Sequence, residues 1–139
     1  IYDLAVDPRN ALWLYAATKN GVYRSTDGGV IWAAVVPGEN TYVLAIDPNN
    51  PDRVFALVHS KIFVSPDAGD SWQLYYEMPD EVGYPRPTTI FIPWLPPENT
   101  SQLNKTSSTP SMIYMGSDQG LYGQEIRIQY KVFAPLVMK

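Results

Sequence analysis

Ser25-Thr26-Asp27-Gly28-Gly29-Val30-Ile31-Trp32 and Ser65-Pro66-Asp67-Ala68-Gly69-Asp70-Ser71-Trp72 are two versions of one eight-residue phrase, 40 positions apart. The register extends well beyond the phrase. Tyr2, Leu4, Ala5, Asp7 and Pro8 recur as Tyr42, Leu44, Ala45, Asp47 and Pro48, and Val6 is answered by Ile46. Leu14-Tyr15-Ala16 is answered by Val54-Phe55-Ala56, and Val22-Tyr23 by Ile62-Phe63. One offset kept over so many positions marks an internal repeat, with apolar character retained where identity is lost.

A period of about 40 to 45 residues with several short apolar runs per unit marks propeller blades, whereas helical repeats of that length show 3.6-residue periodicity. Four strands are expected in the first unit: Tyr2–Val6, Leu12–Ala17, Gly21–Arg24 and Trp32–Val36. Their separators, Asp7-Pro8-Arg9-Asn10, Lys19-Asn20-Gly21 and Asp27-Gly28-Gly29, are turn formers. Glycine accepts positive φ, proline presets φ, and Asp and Asn bond nearby backbone. The second unit repeats the order with Tyr42–Ile46, Arg53–Val58, Lys61–Val64 and Trp72–Tyr76.

A third unit is altered. Ile113 to Tyr122 matches Leu14 to Tyr23 at an offset of 99, and Thr89–Ile92 is expected as its first strand. Relative to the repeat, roughly 19 residues are inserted; the Pro-, Ser-, Thr- and Asn-rich stretch from Pro96 to Pro110 reads as an exposed loop. In place of a third phrase the chain runs through Ile126, Ile128, Tyr130 and Val132, apolar at every second position, as in a strand with one dry face. The expected division is a first blade over 1–40, a second over 41–80 and a degenerate third over 81–139.

The paired phrase resembles the Asp-box of bacterial neuraminidase repeats, Ser/Thr-x-Asp-x-Gly-x-x-Trp/Phe, found in sialidases, sortilin-type receptors, xyloglucan-cleaving hydrolases and propeller-shaped assembly factors of photosystem II. The second copy meets every position; the first has Ile31 where Ser or Thr is usual. The resemblance implies an all-β fold of antiparallel four-stranded propeller blades, two regular and one degenerate, forming a partial propeller or an arc that partners complete. It also implies a structural role for Ser25, Asp27, Gly29, Trp32, Ser65, Asp67, Gly69 and Trp72. In such repeats the aspartate bonds turn amides and the Trp ring covers the hairpin, and a fold motif does not confer activity. A propeller commonly closes with about four to eight blades, so three leave open faces, which a longer chain, an oligomer or a larger assembly would cover.

Ten basic and fourteen acidic residues give a net charge of −4, without any Lys/Arg run, which argues against a nucleic-acid surface. No apolar stretch reaches the roughly 20 residues of a membrane-spanning helix. The absence of cysteine removes disulfides, thiolate zinc sites and cysteine nucleophiles. An extracytoplasmic location, secreted, periplasmic or at the cell surface, is expected from the long polar loop. It is also expected from the ending Tyr130 to Lys139, which is similar to the aromatic-x-Pro-Leu-Val-basic termini of exported proteins of filamentous green bacteria. Asn99 and Asn104 fit the glycosylation acceptor pattern, and Ile1 fits a processed or truncated start.

The enzymatic inventory is thin. A sialidase needs three converging arginines, a tyrosine activated by glutamate and an aspartate acid; Arg9 and Arg53 fall at turns and Arg24 directly precedes the phrase. A xyloglucan-type hydrolase needs two aspartates facing across a cleft between propellers. His59, the single histidine, is expected in an exposed turn, and Asp7 and Asp47 in turns rather than on calcium, since no Asp-x-Asp-x-Asp-Gly loop follows. No catalytic, metal or cofactor residues are assigned. Aromatic residues make up 13% of the chain, and Trp13, Tyr75, Tyr76, Tyr84, Phe91 and Trp94 lie outside the repeat pattern. Rings offer rigid contact area to proteins and sugars, which makes these six the candidate interaction surface; filling between blades is the competing role. The reading that follows is a non-catalytic repeat protein engaged in protein–protein assembly, its own kind included. The alternatives are a relic of a glycan-active hydrolase and an accessory subunit of a membrane-associated photosynthetic or respiratory complex.

Overall fold

Turn chemistry and alternation act where the repeat puts them. In the computed structural model, which describes residues 1–78, 87–93, 113–117 and 120–126, strands β1 (Asp3–Val6), β2 (Leu14–Thr18), β3 (Gly21–Ser25) and β4 (Ala33–Pro37) form one antiparallel sheet in chain order. Strands β5 (Thr41–Ile46), β6 (Val54–Val58), β7 (Lys61–Ser65) and β8 (Gln73–Glu77) form a second sheet of the same order. The third unit contributes β9 (Pro87–Phe91), β10 (Ile113–Ser117) and β11 (Gly120–Ile126), again antiparallel and in order. The described residues are all-β, and none of them forms a helix that could cross a membrane.

Register makes the three units directly comparable. Leu4 pairs with Ala16, Leu44 with Ala56 and Ile90 with Met115. Ile90 therefore stands where Leu4 and Leu44 stand, and Phe91 where Ala5 and Ala45 stand. Strand starts shift from expectation for local reasons. Trp32 and Trp72 belong to the turns, because their indoles close them, so β4 and β8 begin one residue later. Trp13 and Arg53 each donate a backbone bond to the carbonyl of Asn10 or Asn50, which holds them in a turn and delays β2 and β6. The expected strand beyond Ile126 lies outside the described residues.

The core is built between sheets. Strand β6, Val-Phe-Ala-Leu-Val, is at most 1% exposed throughout, as a continuous apolar run covered on both faces requires. Val54, Ala56 and Val58 pack with Tyr15, Ala17, Val22 and Leu44 between the first and second sheets. Phe55 and Leu57 point the other way and pack with Val43, Ile62, Val64, Ile90, Ile92 and Ile113 toward the third. Alternation along one strand thus serves two cores, each fully buried Phe or Leu contributing roughly 1.5–3 kcal/mol. The first strands lie side by side, β1 against β5 and β5 against β9, so the sheets fan out from a common inner edge.

Candidate functional site

Each repeated phrase closes on itself. The buried Ser25 hydroxyl donates to Asp27 Oδ1 at 2.8 Å and accepts from the Gly29 N–H at 2.9 Å. Asp27 Oδ1 accepts the N–H groups of Val30 and Ile31, both at 3.0 Å, and Trp32 Nε1 donates to the Gly29 carbonyl at 2.9 Å. The second phrase repeats the pattern: Ser65 donates to Asp67 at 2.9 Å and accepts from Gly69, Ser71 N–H donates to Asp67 Oδ1, and Trp72 donates to the Gly69 carbonyl. Ser71 adds a hydroxyl bond to Asp67 Oδ2 at 2.6 Å, a partner that Ile31 cannot supply to Asp27. A turn with several unpaired N–H groups needs such acceptors. Bonding to the Ile31 amide and Ser25 hydroxyl holds the Asp27 carboxyl below its ordinary pKa, and bonding to Ser71 does the same for Asp67. Both are ionised acceptors at neutral pH, which suits turn closure and is wrong for a proton donor.

The two Asp-Pro turns also hold their carboxylates internally. Asp7, 3% exposed, accepts the Arg9 backbone N–H and its guanidinium, at 2.9 Å between Nη2 and Oδ2. The Arg9 side chain holds the Asp7 carboxyl below the usual carboxylate range. Asp47, wholly buried, accepts Asn49 N–H and Arg53 Nη1. The cation comes from two residues on in one unit and six in the other. Among the described residues no three His, Asp or Glu side chains gather as a metal site.

The seam between the first two units joins the second phrase to the first sheet. Tyr15 hydroxyl and Arg24 Nη1 both donate to the Ala68 carbonyl at 2.7 Å, and Arg24 also pairs with Asp70 at 2.7 Å. Arg9 bridges to Asp52 at 2.7 Å, and Asp3 Oδ2 accepts the Leu44 N–H at 2.8 Å. Burial pushes the Tyr15 hydroxyl pKa up to about 12, so it remains a donor. These seam residues escaped the reading of the sequence. The signal was present as departures from the repeat, since Tyr15 and Arg24 are answered by Phe55 and Val64, and the turn they serve has no third copy. Among the described residues the second seam carries an apolar core, with a link from Asn49 Nδ2 to the Pro93 carbonyl at 3.0 Å.

The four candidate contact aromatics among the described residues are dispersed. Trp13 is half-buried under the Arg24 guanidinium, 5.6 Å from ring centroid to Cζ. Tyr75 and Tyr76 pack against the second core, Tyr75 edge-on to Phe55 at 5.3 Å. Phe91 is exposed beside Tyr114, at 6.3 Å. Tyr84 and Trp94 lie outside the described residues, as do Asn99 and Asn104. A separate aromatic row joins Tyr2, Tyr42 and the exposed His59, at 5.6 and 6.1 Å.

No protein-family model and no curated protein matches the chain. Solved structures do. The chain is similar to an ancestral GH74 enzyme at a TM-score of 0.64 and 18% identity, over 86% of this chain and 16% of that one. It is similar to YCF48 bound to D1 peptide at 0.55 and 15%, over 86% of this chain and 34% of that one. The chain has a β-propeller-type fold. Similarity to the GH74 enzyme of Niastella koreensis, at 0.53 and 19%, covers 84% of this chain and 19% of that one. The propeller blades of this chain thus span well under half of each of these structures.

Proposed function

We propose that the chain is a non-catalytic, extracytoplasmic Asp-box propeller segment that works as a structural subunit in protein–protein assembly. The observation that carries this reading is the engagement of the Asp27 and Asp67 carboxylates by their own turns, which leaves both ionised and unavailable as general acids. The likeness in fold to YCF48 bound to D1 peptide supports a protein or peptide as the class of partner. Incubating the chain with xyloglucan and with sialosides is expected to release no sugar; turnover of either overturns the reading.

The alternative, a relic of a glycan-active hydrolase, is favoured by the two GH74 enzymes among the similar structures. A retaining or inverting hydrolase needs a pair of carboxyl groups at a set separation across the glycosidic bond. The buried carboxylates Asp7 and Asp47 are instead each committed to a guanidinium within the same unit. The same incubation decides between the two readings.

A further inference from the structure

Tyr2 and Tyr42 hold one position of the repeat, at the start of the first strands of two units, and their ring centroids lie 5.6 Å apart at a tilt of 37°. The His59 ring continues the row, edge-on to Tyr42 at 6.1 Å. All three side chains are exposed, Tyr2 at 56% and Tyr42 at 38%. Tyr42 is the informative member, because β5 has β1 on one side and β9 on the other, and the ring stays open with both in place. Its exposure therefore does not depend on where the chain begins or ends. His59 carries a second signature. It is the first of the two residues between Val58 and Lys61, and its φ of 52° falls at a hairpin position where glycine is preferred. An exposed imidazole is thus held at a local backbone cost, which points to use of the ring. In the first unit the same turn position is the exposed Lys19, and the positive φ falls on Gly21 instead.

We propose that the row of Tyr2, Tyr42 and His59 binds a proline-rich segment of a partner protein in the polyproline II conformation. The inference rests on the protein-partner reading above and gives that partner a site. Complementarity of donors and acceptors argues for it. The row offers two phenol hydroxyls and an imidazole, with the Lys19 ammonium at the equivalent turn, and among the described residues no hydrogen bond or ion pair engages these polar groups. Proline is the matching ligand, since it has a carbonyl acceptor and no N–H, and a polyproline II backbone makes no internal hydrogen bonds, so its carbonyls are free to accept. Its rise of about 3.1 Å per residue sets every second residue about 6 Å apart, which matches the ring spacings of 5.6 and 6.1 Å and lets pyrrolidine rings lie between the aromatic ones. Aromatic-lined grooves take such segments because the extended form is already ordered. A sugar chain fits less well. Sugar hydroxyls donate as well as accept and call for carboxylate partners, yet the carboxylate beside Tyr2, that of Asp3, is committed to the N–H groups of Leu4 and Leu44, both at 2.8 Å.

Fluorescein-labelled decaproline is the probe, titrated with the chain and read as fluorescence anisotropy, with an unlabelled Gly-Ser peptide of equal length and cellohexaose as competitors. Saturable binding is expected, and neither competitor is expected to displace the probe. Tyr2→Ala and Tyr42→Ala are each expected to weaken binding about tenfold with unchanged far-UV circular dichroism spectra. His59→Gly is expected to weaken it about threefold with a melting temperature no lower than that of the wild type, because glycine accepts the positive φ. Leu74→Ala, at an exposed site on β8, is expected to bind as the wild type does. Should Tyr42→Ala fail to fold, Tyr2→Ala, which lies ahead of β1, carries the test. The site is overturned by a wild type that leaves decaproline free, by Tyr2→Ala or His59→Gly binding undiminished, or by loss of binding in Leu74→Ala. Displacement by either competitor overturns the proline-rich class of ligand. Failure to bind decaproline with no sugar released overturns this site alone; sugar release from xyloglucan or sialosides overturns the non-catalytic reading whatever the peptide does.

Discussion

Tyr15 shows how one hydroxyl joins two units. It is wholly buried, and its oxygen lies 2.7 Å from the Ala68 carbonyl, 53 residues away in sequence. Tyr15→Phe keeps the ring and removes the bond. With Arg24 still donating to the same carbonyl, the loss is expected to be about 1 kcal/mol, read as a lower urea midpoint with an unchanged m-value. The phrase serines work on a shorter scale. Ser25 and Ser65 each bridge a carboxylate and a glycine amide within five residues, so both partners lie close along the chain. Nothing comparable in the order of residues marks Tyr15, whose partner is set by the stacking of sheets.

At the level of the element, the β2–β3 and β6–β7 hairpins have equal length and different solutions. In the first the positive φ falls on Gly21, at 111°, where an added Cβ would lie 1.7 Å from the Val36 carbonyl oxygen. In the second it falls on His59, at 52°, and the Gly21 position is held by Lys61. Gly21→Ala is therefore expected to cost more than about 2 kcal/mol, since backbone conformation and backbone contact both oppose it. Thermal unfolding followed by circular dichroism measures this, and a melting temperature within a degree of wild type would contradict it. Strand identities were legible from alternation and turn residues, whereas strand starts slipped by one or two positions at Trp32, Trp72 and Trp13. At those positions the turn consumes a residue that the apolar pattern assigns to a strand. The buried Asp7 and Asp47 were legible as turn residues, but their arginines were not, because Arg9 and Arg53 sit at different offsets and only proximity unites their roles.

For the whole molecule, the charged turns set the pH range of stability. The carboxyls of Asp7, Asp27 and Asp67 lie below their ordinary values. Their contribution is present above the unfolded carboxylate pKa, near 4, and is lost as pH falls through the folded values. Tyr15 has the opposite sign. Its folded pKa of about 12 lies above the ordinary value of 10.0, so its contribution is full below the lower figure and is lost as pH rises through the higher. The urea midpoint is expected to be level between about pH 5 and 9, to fall below about 4, and to fall again above about 10. In Tyr15→Phe the alkaline fall is expected to be shallower. A midpoint unchanged at pH 3 would contradict the account of the acid limb.

The sequence by itself determined the repeat, its period and the number and order of strands in the first two units. Those properties rest on interactions between residues close along the chain: alternation across a strand, positive φ in a turn, a carboxylate over nearby amides. Only the tertiary structure decided which faces are covered. Leu4 and Leu44 are the same residue in the same register, one half exposed and the other buried, because burial depends on whether another sheet stands in front. The same stacking aimed Tyr15 and Arg24 at Ala68 and packed Phe55 and Leu57 with Ile90 and Ile113.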